Sequence, residues 1–464
     1  MEGPSRPDDE STAGQSQERS SERKVDADAP QIETELPNKT LVYSSIVAFL
    51  AWVFSVYDYT LFGTLLPEMA NDLGWSTATS TAIATWVGVG VFIMSLTVGP
   101  LLDYLGRKTS LILATAGAAI SSGLTALSFS ALYVVIIRAF SGLGYSEQVV
   151  NTTYLNELYG TRQRRGFIYS FVQGGWPIGV LVGAGLSALL LPLVGWRGVF
   201  LVATLPAIII VILGFKLRES PRFQAMQYVK RLEREGRHEE AVEFGREYDI
   251  DVHHTEENTF RQIFEPDIRK HTIFLAGAFL ANWVGIQVFV VLGTTVLTEG
   301  KGVSFGSALI FLVVSNAAAY IGYLTHGFFG DIIGRRRTIA GGWILSGIAY
   351  TVMLFGPDVS AFVLIMYTLG LFFIIGCYAP LFFYMGESFP TRIRGTGAAF
   401  VNAMGPIGAI VGSGLLTVFL NADLDMPVAA FFAGSIPVLL SGVLMFGTRK
   451  VEDPFQAEAL QEGV

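Results

Sequence analysis

Twelve apolar runs, each long enough to cross a ~30 Å hydrocarbon layer as a helix, follow one another along this chain. They fall near residues 42–66, 78–102, 109–129, 131–157, 167–190, 197–216, 271–297, 305–329, 338–356, 360–385, 396–420 and 427–447. A backbone in lipid must satisfy its own N–H and C=O groups, so runs of this length read as transmembrane helices. The expected fold class is an all-α membrane protein of twelve transmembrane helices. Composition agrees, since 51% of the 464 residues are hydrophobic and only 15% are charged, too apolar for an ordinary soluble chain. Several runs are rich in glycine, as at Gly174, Gly175 and Gly179 or Gly405, Gly408 and Gly412. In lipid, small residues let helix backbones approach closely.

The charges lie outside these runs for the most part. Residues 1–41 are polar, acidic and Ser-rich, and read as a disordered tail. The tail has no apolar core ahead of a small-residue cleavage site, so it does not read as a cleaved signal peptide. The net charge of −8 comes largely from the tail and the central loop and speaks against nucleic-acid binding. The single cysteine, Cys377, excludes a disulfide framework and a cysteine-based metal site. His253-His254 lacks a spaced set of partner ligands, so no metal is expected. No phosphate loop of the Gly-x-x-x-x-Gly-Lys-Ser/Thr type occurs, which disfavours an ATP-driven machine, and no cofactor is expected.

Positive charge in the short loops orients the helices. One alternating set of loops holds Arg107, Lys108, Arg162, Arg164, Arg165, Arg335, Arg336, Arg337, Arg392 and Arg394, and the opposite set offers Arg197 and Lys301. Both termini and the charged stretch 217–270 are therefore expected in the cytoplasm of a multi-pass cell-membrane protein.

A repeat divides the chain. Asp103-Tyr-Leu-Gly106-Arg107-Lys108 follows the second run, and Asp331-Ile-Ile-Gly334-Arg335-Arg336 follows the eighth, at an offset of 228. Glu157, ahead of Thr161-Arg162-Gln-Arg164-Arg165-Gly166, returns as Glu387, ahead of Thr391-Arg392-Ile-Arg394-Gly395, at an offset of 230. Two separate motifs at nearly one offset mark a duplication. The expected organisation is a tail (1–41), a six-helix bundle (42–216), a cytoplasmic loop (217–270), a second six-helix bundle (271–447) and a tail (448–464).

These residues resemble the major facilitator superfamily over about 42–447. The duplicated Asp-x-x-Gly-Arg-Arg/Lys loops look like its hallmark. Arg218-Glu219-Ser220-Pro221-Arg222 is similar to the Pro-Glu-Ser-Pro-Arg string of sugar porters, with Arg218 in place of the proline. Arg138-x-x-x-Gly142-x-Gly144, followed by Glu157, fits the same wider group. In the first run, Asp58, Gly63 and Pro67 resemble the opening of aromatic acid:proton symporters and related metabolite:proton symporters. Those families often carry a second acid three residues earlier, where this chain has Ser55.

The loop motifs suit a gate. Asp103 can accept hydrogen bonds from a helix N-terminus, where the dipole favours an anion. Gly106 permits a tight reversal. Arg107, Glu157 and Arg165, with Asp331, Arg335, Glu387 and Arg394, can form a charge-assisted network between the bundles on the cytoplasmic side. The competing reading is that these charges only orient helices and meet headgroups.

Charges inside the spans are functional candidates, because burying one costs at least ~2.5 kcal/mol. Asp58 and Glu147 are the proton-coupling candidates, since a carboxyl withdrawn from water favours its protonated form. The alternative for Asp58 is a permanent pair with Arg138. Glu147, Asn151 and Tyr154 share one helical face, which is expected to look into a central cavity. Arg138 is free to meet a substrate carboxylate or to serve a structural role. Further substrate-binding candidates are Asn151, Gln173, Trp176, Asn282, Gln287, Asn316, Tyr320, Tyr323 and Asn402. Amides and phenols amid aromatics suit a small polar solute with an apolar body, bound where two repeats meet.

The expectation is a secondary active transporter, a monomer rather than an enzyme, that takes up a small organic acid with protons by alternating access. A sugar or polyol carrier, proton-coupled or facilitative, is the first alternative. A transporter-like solute sensor is the second.

Overall fold

The computed structural model describes residues 32–33, 36–159, 171–247, 259–389 and 393–450. Among the described residues, regular structure is helical throughout. The first half contains α1 (Asn38–Leu73), α2 (Thr77–Ser95), α3 (Val98–Leu105), α4 (Arg107–Thr125), α5 (Ala131–Ala139), α6 (Ser141–Tyr145), α7 (Glu147–Tyr159) and α8 (Gly175–Gly214). Two helices, α9 (Pro221–Arg234) and α10 (His238–Glu247), form a separate compact unit around Tyr228, Val229, Leu232 and Ala241. The second half contains α11 (Thr259–Gln262), α12 (Arg269–Ile286), α13 (Gly293–Lys301), α14 (Phe305–Ile333), α15 (Arg335–Phe355), α16 (Ser360–Gly376), α17 (Tyr378–Ser388), α18 (Arg394–Asn421), α19 (Met426–Ala430) and α20 (Ile436–Met445).

Nine helices among the described residues are long and apolar enough to cross a membrane. One of them, Phe171–Gly214, spans 44 residues and breaks at Gly195, where φ is 65°. At about 1.5 Å per residue it covers about 65 Å, enough for two crossings, and the expected runs 167–190 and 197–216 are its two arms. Large apolar side chains lie exposed along these helices, among them Leu189, Leu193, Leu205, Ile209 and Phe328. A soluble protein would bury such residues, whereas here they form the surface that meets lipid.

Several expected runs are interrupted: the second is divided into α2 and α3, and the tenth into α16 and α17. The fourth is divided into α5, α6 and α7. The seventh passes through a π-helical turn, Gln287–Val291, between α12 and α13. The twelfth does the same at Phe431–Ser435, between α19 and α20. A π turn widens the helix by one residue and redirects the side chains that follow, which frequently happens at functional sites. Helix starts are set locally by side-chain caps. Ser76 accepts from the Thr79 N–H, Ser304 from that of Ser307 and Asp425 from that of Val428.

Candidate functional site

A cavity lies between the halves. Trp52 of α1, Gln148 of α7 and Gln173 with Trp176 at the start of α8 face Phe279 and Trp283 of α12, Tyr323 of α14 and Tyr378 of α17. The rings support one another edge to face, with Trp176 and Trp283 centroids 5.6 Å apart at 84° and Tyr145 and Trp283 5.6 Å apart at 75°. Gln148 Nε2 donates to Gln173 Oε1 at 3.0 Å, and the Tyr378 hydroxyl donates to Asn282 Oδ1 at 2.8 Å. These bonds leave the indole N–H groups of Trp52, Trp176 and Trp283, with Gln173 Nε2 and Asn282 Nδ2, buried and without a partner among the described residues. All five are donors. Each unmet donor costs about 1–3 kcal/mol, so the complementary solute is flat, apolar over its body and rich in acceptors. Among the described residues, none of the side chains lining the cavity is charged.

The buried ionisable groups lie on other faces. Arg138 Nη1 donates to Asp58 Oδ1 at 2.9 Å and Nη2 to the Asp58 main-chain oxygen at 2.7 Å. Both side chains are 1% exposed, so this is a fully buried ion pair, and the guanidinium also lies over the Phe62 and Phe200 rings. Glu147, 0% exposed, accepts a short hydrogen bond from Ser55 Oγ and one from Asn151 Nδ2 at 3.3 Å. Asn151 Nδ2 also donates to the Ala48 oxygen, and Tyr154 meets Ser44 at 3.3 Å. The contacts 44–154, 48–151 and 55–147 form an antiparallel ladder between α1 and α7. The polar face Glu147–Asn151–Tyr154 therefore looks at α1, not into the central cavity as its spacing suggested. Gln148, one residue on, is the α7 side chain that reaches the cavity.

Of the expected substrate-binding residues, Gln173, Trp176 and Tyr323 line the central cavity, and Asn282 bonds to Tyr378 in its wall. Arg138 and Gln287 line a second cavity. Asn316 is buried with its Nδ2 on the Leu312 oxygen, and neither it, Tyr320 nor Asn402 is among the described residues lining the two cavities. Trp52, Gln148, Phe279 and Tyr378 are site residues that the sequence did not single out. Aromatics on transmembrane helices also serve as interfacial anchors, and periodicity cannot separate the two uses.

At the loop end, the duplicated motif takes one shape twice. Gly106 (φ 92°) and Gly334 (φ 91°) both adopt left-handed backbone and start α4 and α15. Arg107 clasps Glu157 through Nε and Nη2 at 2.8–3.0 Å, and its Nη1 donates to the Leu102 oxygen. In the second half Arg335 pairs with Glu387 and lies 3.3 Å from Asp331. These pairs each close within one half, where the sequence suggested a network between halves. Glu219 serves the start of α4: its carboxylate accepts from the Arg107 N–H at 2.9 Å and the Lys108 N–H at 3.2 Å. Burial pushes the Glu219 carboxyl above its usual range, and hydrogen bonds from the backbone of Ser220, Lys108 and Arg107 act against that. The side chains of Asp103 and Arg394, and all of Arg165, His253 and His254, lie outside the described residues.

The halves touch away from these loops. Thr417 of α18 donates to the Thr81 hydroxyl of α2 at 2.9 Å, and Thr294 of α13 donates to the main-chain oxygens of Gly63 and Thr64 of α1 at 3.2 and 3.0 Å. The backbones are so close here that a Cβ on Gly63 would lie 2.1 Å from the Val291 oxygen.

Known proteins share this pattern over nearly the whole chain. It is 26% identical over 414 residues to a gallate transporter of Pseudomonas putida, covering 86% of this chain and 91% of that protein. It is 25% identical over 423 residues to a cis,cis-muconate transport protein of Acinetobacter baylyi, covering 89% and 95%. It is also 25% identical over 413 residues to a gentisate transporter of Corynebacterium glutamicum, covering 87% and 84%. The family model described as sugar (and other) transporter matches residues 19–451. A duplicated loop motif, helices that expose their apolar side chains and a cavity between two halves all accord with that match, and the chain belongs to the sugar (and other) transporter family of the major facilitator superfamily, a multi-pass membrane transporter and not an enzyme.

Proposed function

We propose that this protein carries a small aromatic or closely related organic acid into the cell together with protons, by alternating access. The observation that carries the reading is the central cavity, where flat rings enclose a space edged by three indole N–H groups and an amide N–H that lack partners among the described residues. A carboxylate on a flat body supplies acceptors for those donors and a face for those rings. The relatives point the same way, since gallate, muconate and gentisate are carboxylates. The twelve apolar runs are read as two six-helix bundles, 42–216 and 271–447, in the cytoplasmic membrane with both termini in the cytoplasm, and the protein acts as a monomer.

Coupling falls to the two buried acids. Asp58 faces a cation and Glu147 meets the neutral donors Ser55 and Asn151, so the two buried acids stand in different surroundings on adjoining faces of the first half. The duplicated loops gate the cytoplasmic end through the pairs of Arg107 with Glu157 and of Arg335 with Asp331 and Glu387, and the sequence assigns Asp103, Arg165 and Arg394 to the same gate. With the contacts at Thr81–Thr417 and Gly63–Thr294 on the outer side, the conformation described above is the one closed to the outside.

Reconstituted protein tests this directly. Acid outside should drive uptake of a labelled aromatic acid into proteoliposomes, and a protonophore should abolish the drive. A monoanion entering with one proton moves no net charge. Entry with two protons moves one positive charge and gains ~2.3 kcal/mol per 100 mV, inside negative. A neutral sugar with one proton would respond to potential too. Uptake that only equilibrates the acid and ignores both gradients would establish a facilitator instead.

A further inference from the structure

The central cavity is not the only pocket beside the polar groups. A second cavity lies next to it, lined by Arg138, Ser141, Gln287 and Tyr59 among apolar side chains that include those of α2 and the π turn. The two share a wall. Tyr59 lines the second cavity, and its ring lies 6.5 Å from that of Trp176, which lines the first. Ile286 and Gln287, consecutive where the π turn begins, line the first and the second respectively.

Two polar atoms in this wall are unused. A guanidinium has five N–H donors. Asp58 engages Nη1 and Nη2, while Nε of Arg138, a residue 1% exposed, has no partner among the described residues. Gln287, 5% exposed, likewise leaves its Oε1 without a donor. One cavity thus contains a spare donor on a cation and a spare neutral acceptor. A carboxylate answers the first. The second requires a group that donates, and on an aromatic acid that group is a hydroxyl. The unpartnered buried atoms beside the central cavity are all donors and make no such demand.

We propose that the second cavity is a separate binding site for a hydroxylated aromatic acid, its carboxylate on Arg138 Nε and its hydroxyl on Gln287 Oε1. The inference rests on the reading of the protein as an acid carrier and extends it. The acid would occupy two stations divided by Tyr59, and the second would select for the hydroxyl.

Equilibrium dialysis of the full-length protein in lipid nanodiscs tests the idea, with radiolabelled 4-hydroxybenzoate, 3,4-dihydroxybenzoate, gallate and benzoate as probes. Tryptophan quenching reports the central cavity in the same samples. The expected result is two hydroxylated acids bound per chain, with benzoate at least tenfold weaker at one station only. Ala84→Phe, which fills the second cavity, should reduce the stoichiometry to one and leave the quenching intact. Gln287→Leu should remove the preference for the hydroxyl at that station while the protein still binds both acids. One acid per chain in the unmodified protein, or two retained with unchanged preference in both variants, would overturn the second site alone. Absence of binding and of quenching by all four acids would defeat the acid-carrier reading, and this proposal with it.

Discussion

Arg138 and Asp58, eighty residues apart, form a buried ion pair in which the guanidinium bonds both the carboxylate and the main-chain oxygen of its partner. Removing one member of such a pair strands the other in a low-dielectric interior.

Asp58→Asn should therefore destabilise the purified protein by about 3–5 kcal/mol, seen as a lower unfolding midpoint. Asp58→Asn with Arg138→Gln should recover most of that loss. Neither variant should accumulate the acid against a gradient, while exchange of labelled for unlabelled acid continues. Full accumulation by the single variant would place the proton route elsewhere.

Glu147→Gln separates charge from shape. The amide oxygen still accepts from Ser55, so stability should change by less than about 1 kcal/mol. Proton-driven accumulation should fall sharply and exchange should persist. If this variant accumulates like the unmodified protein, Asp58 carries the proton alone.

The two loop ion pairs are related by duplication but differ in burial. Arg107 and Glu157 side chains are 9% and 8% exposed, against 25% and 42% for Arg335 and Glu387. Arg107→Gln should cost about 3 kcal/mol or more, and Arg335→Gln under about 1 kcal/mol, in thermal unfolding of the purified protein. Both should slow transport and raise the labelling of engineered cavity cysteines from the cytoplasmic side. Unchanged labelling in both would reduce the motif to a folding or topology signal.

Gly63→Val tests the opposite end. Its side chain cannot fit against the Val291 oxygen, so α1 and the π turn must separate. Cavity cysteines should then label faster from outside, and net uptake should drop. Labelling that stays at the level of the unmodified protein would mean that this contact does not close the path.

Gln173→Leu removes one of the unpaired donors of the central cavity and keeps its volume. KM for the acid should rise about tenfold, or about 1.4 kcal/mol, with a smaller change in maximal rate. An unchanged KM would take Gln173 out of the binding site.

Apolar run lengths, the duplicated Asp-x-x-Gly-Arg turns and the left-handed glycines at 106 and 334 could be read from the chain, because each depends on neighbours a few residues away. What faced what could not be read. A helix that is apolar all round offers no amphipathic stripe to tell a protein neighbour from lipid, so α1 alone gives no sign that Ser44, Ala48 and Ser55 meet α7 while Trp52 meets the cavity. Helical spacing correctly grouped Glu147, Asn151 and Tyr154 on one face. Only the packing of α7 against α1 decided that this face is occupied, and that Gln148 is the residue that lines the cavity. The partners of Arg138 and Glu219 were also decided by tertiary structure, because an ion pair or a capped helix end between distant segments depends on where whole helices lie.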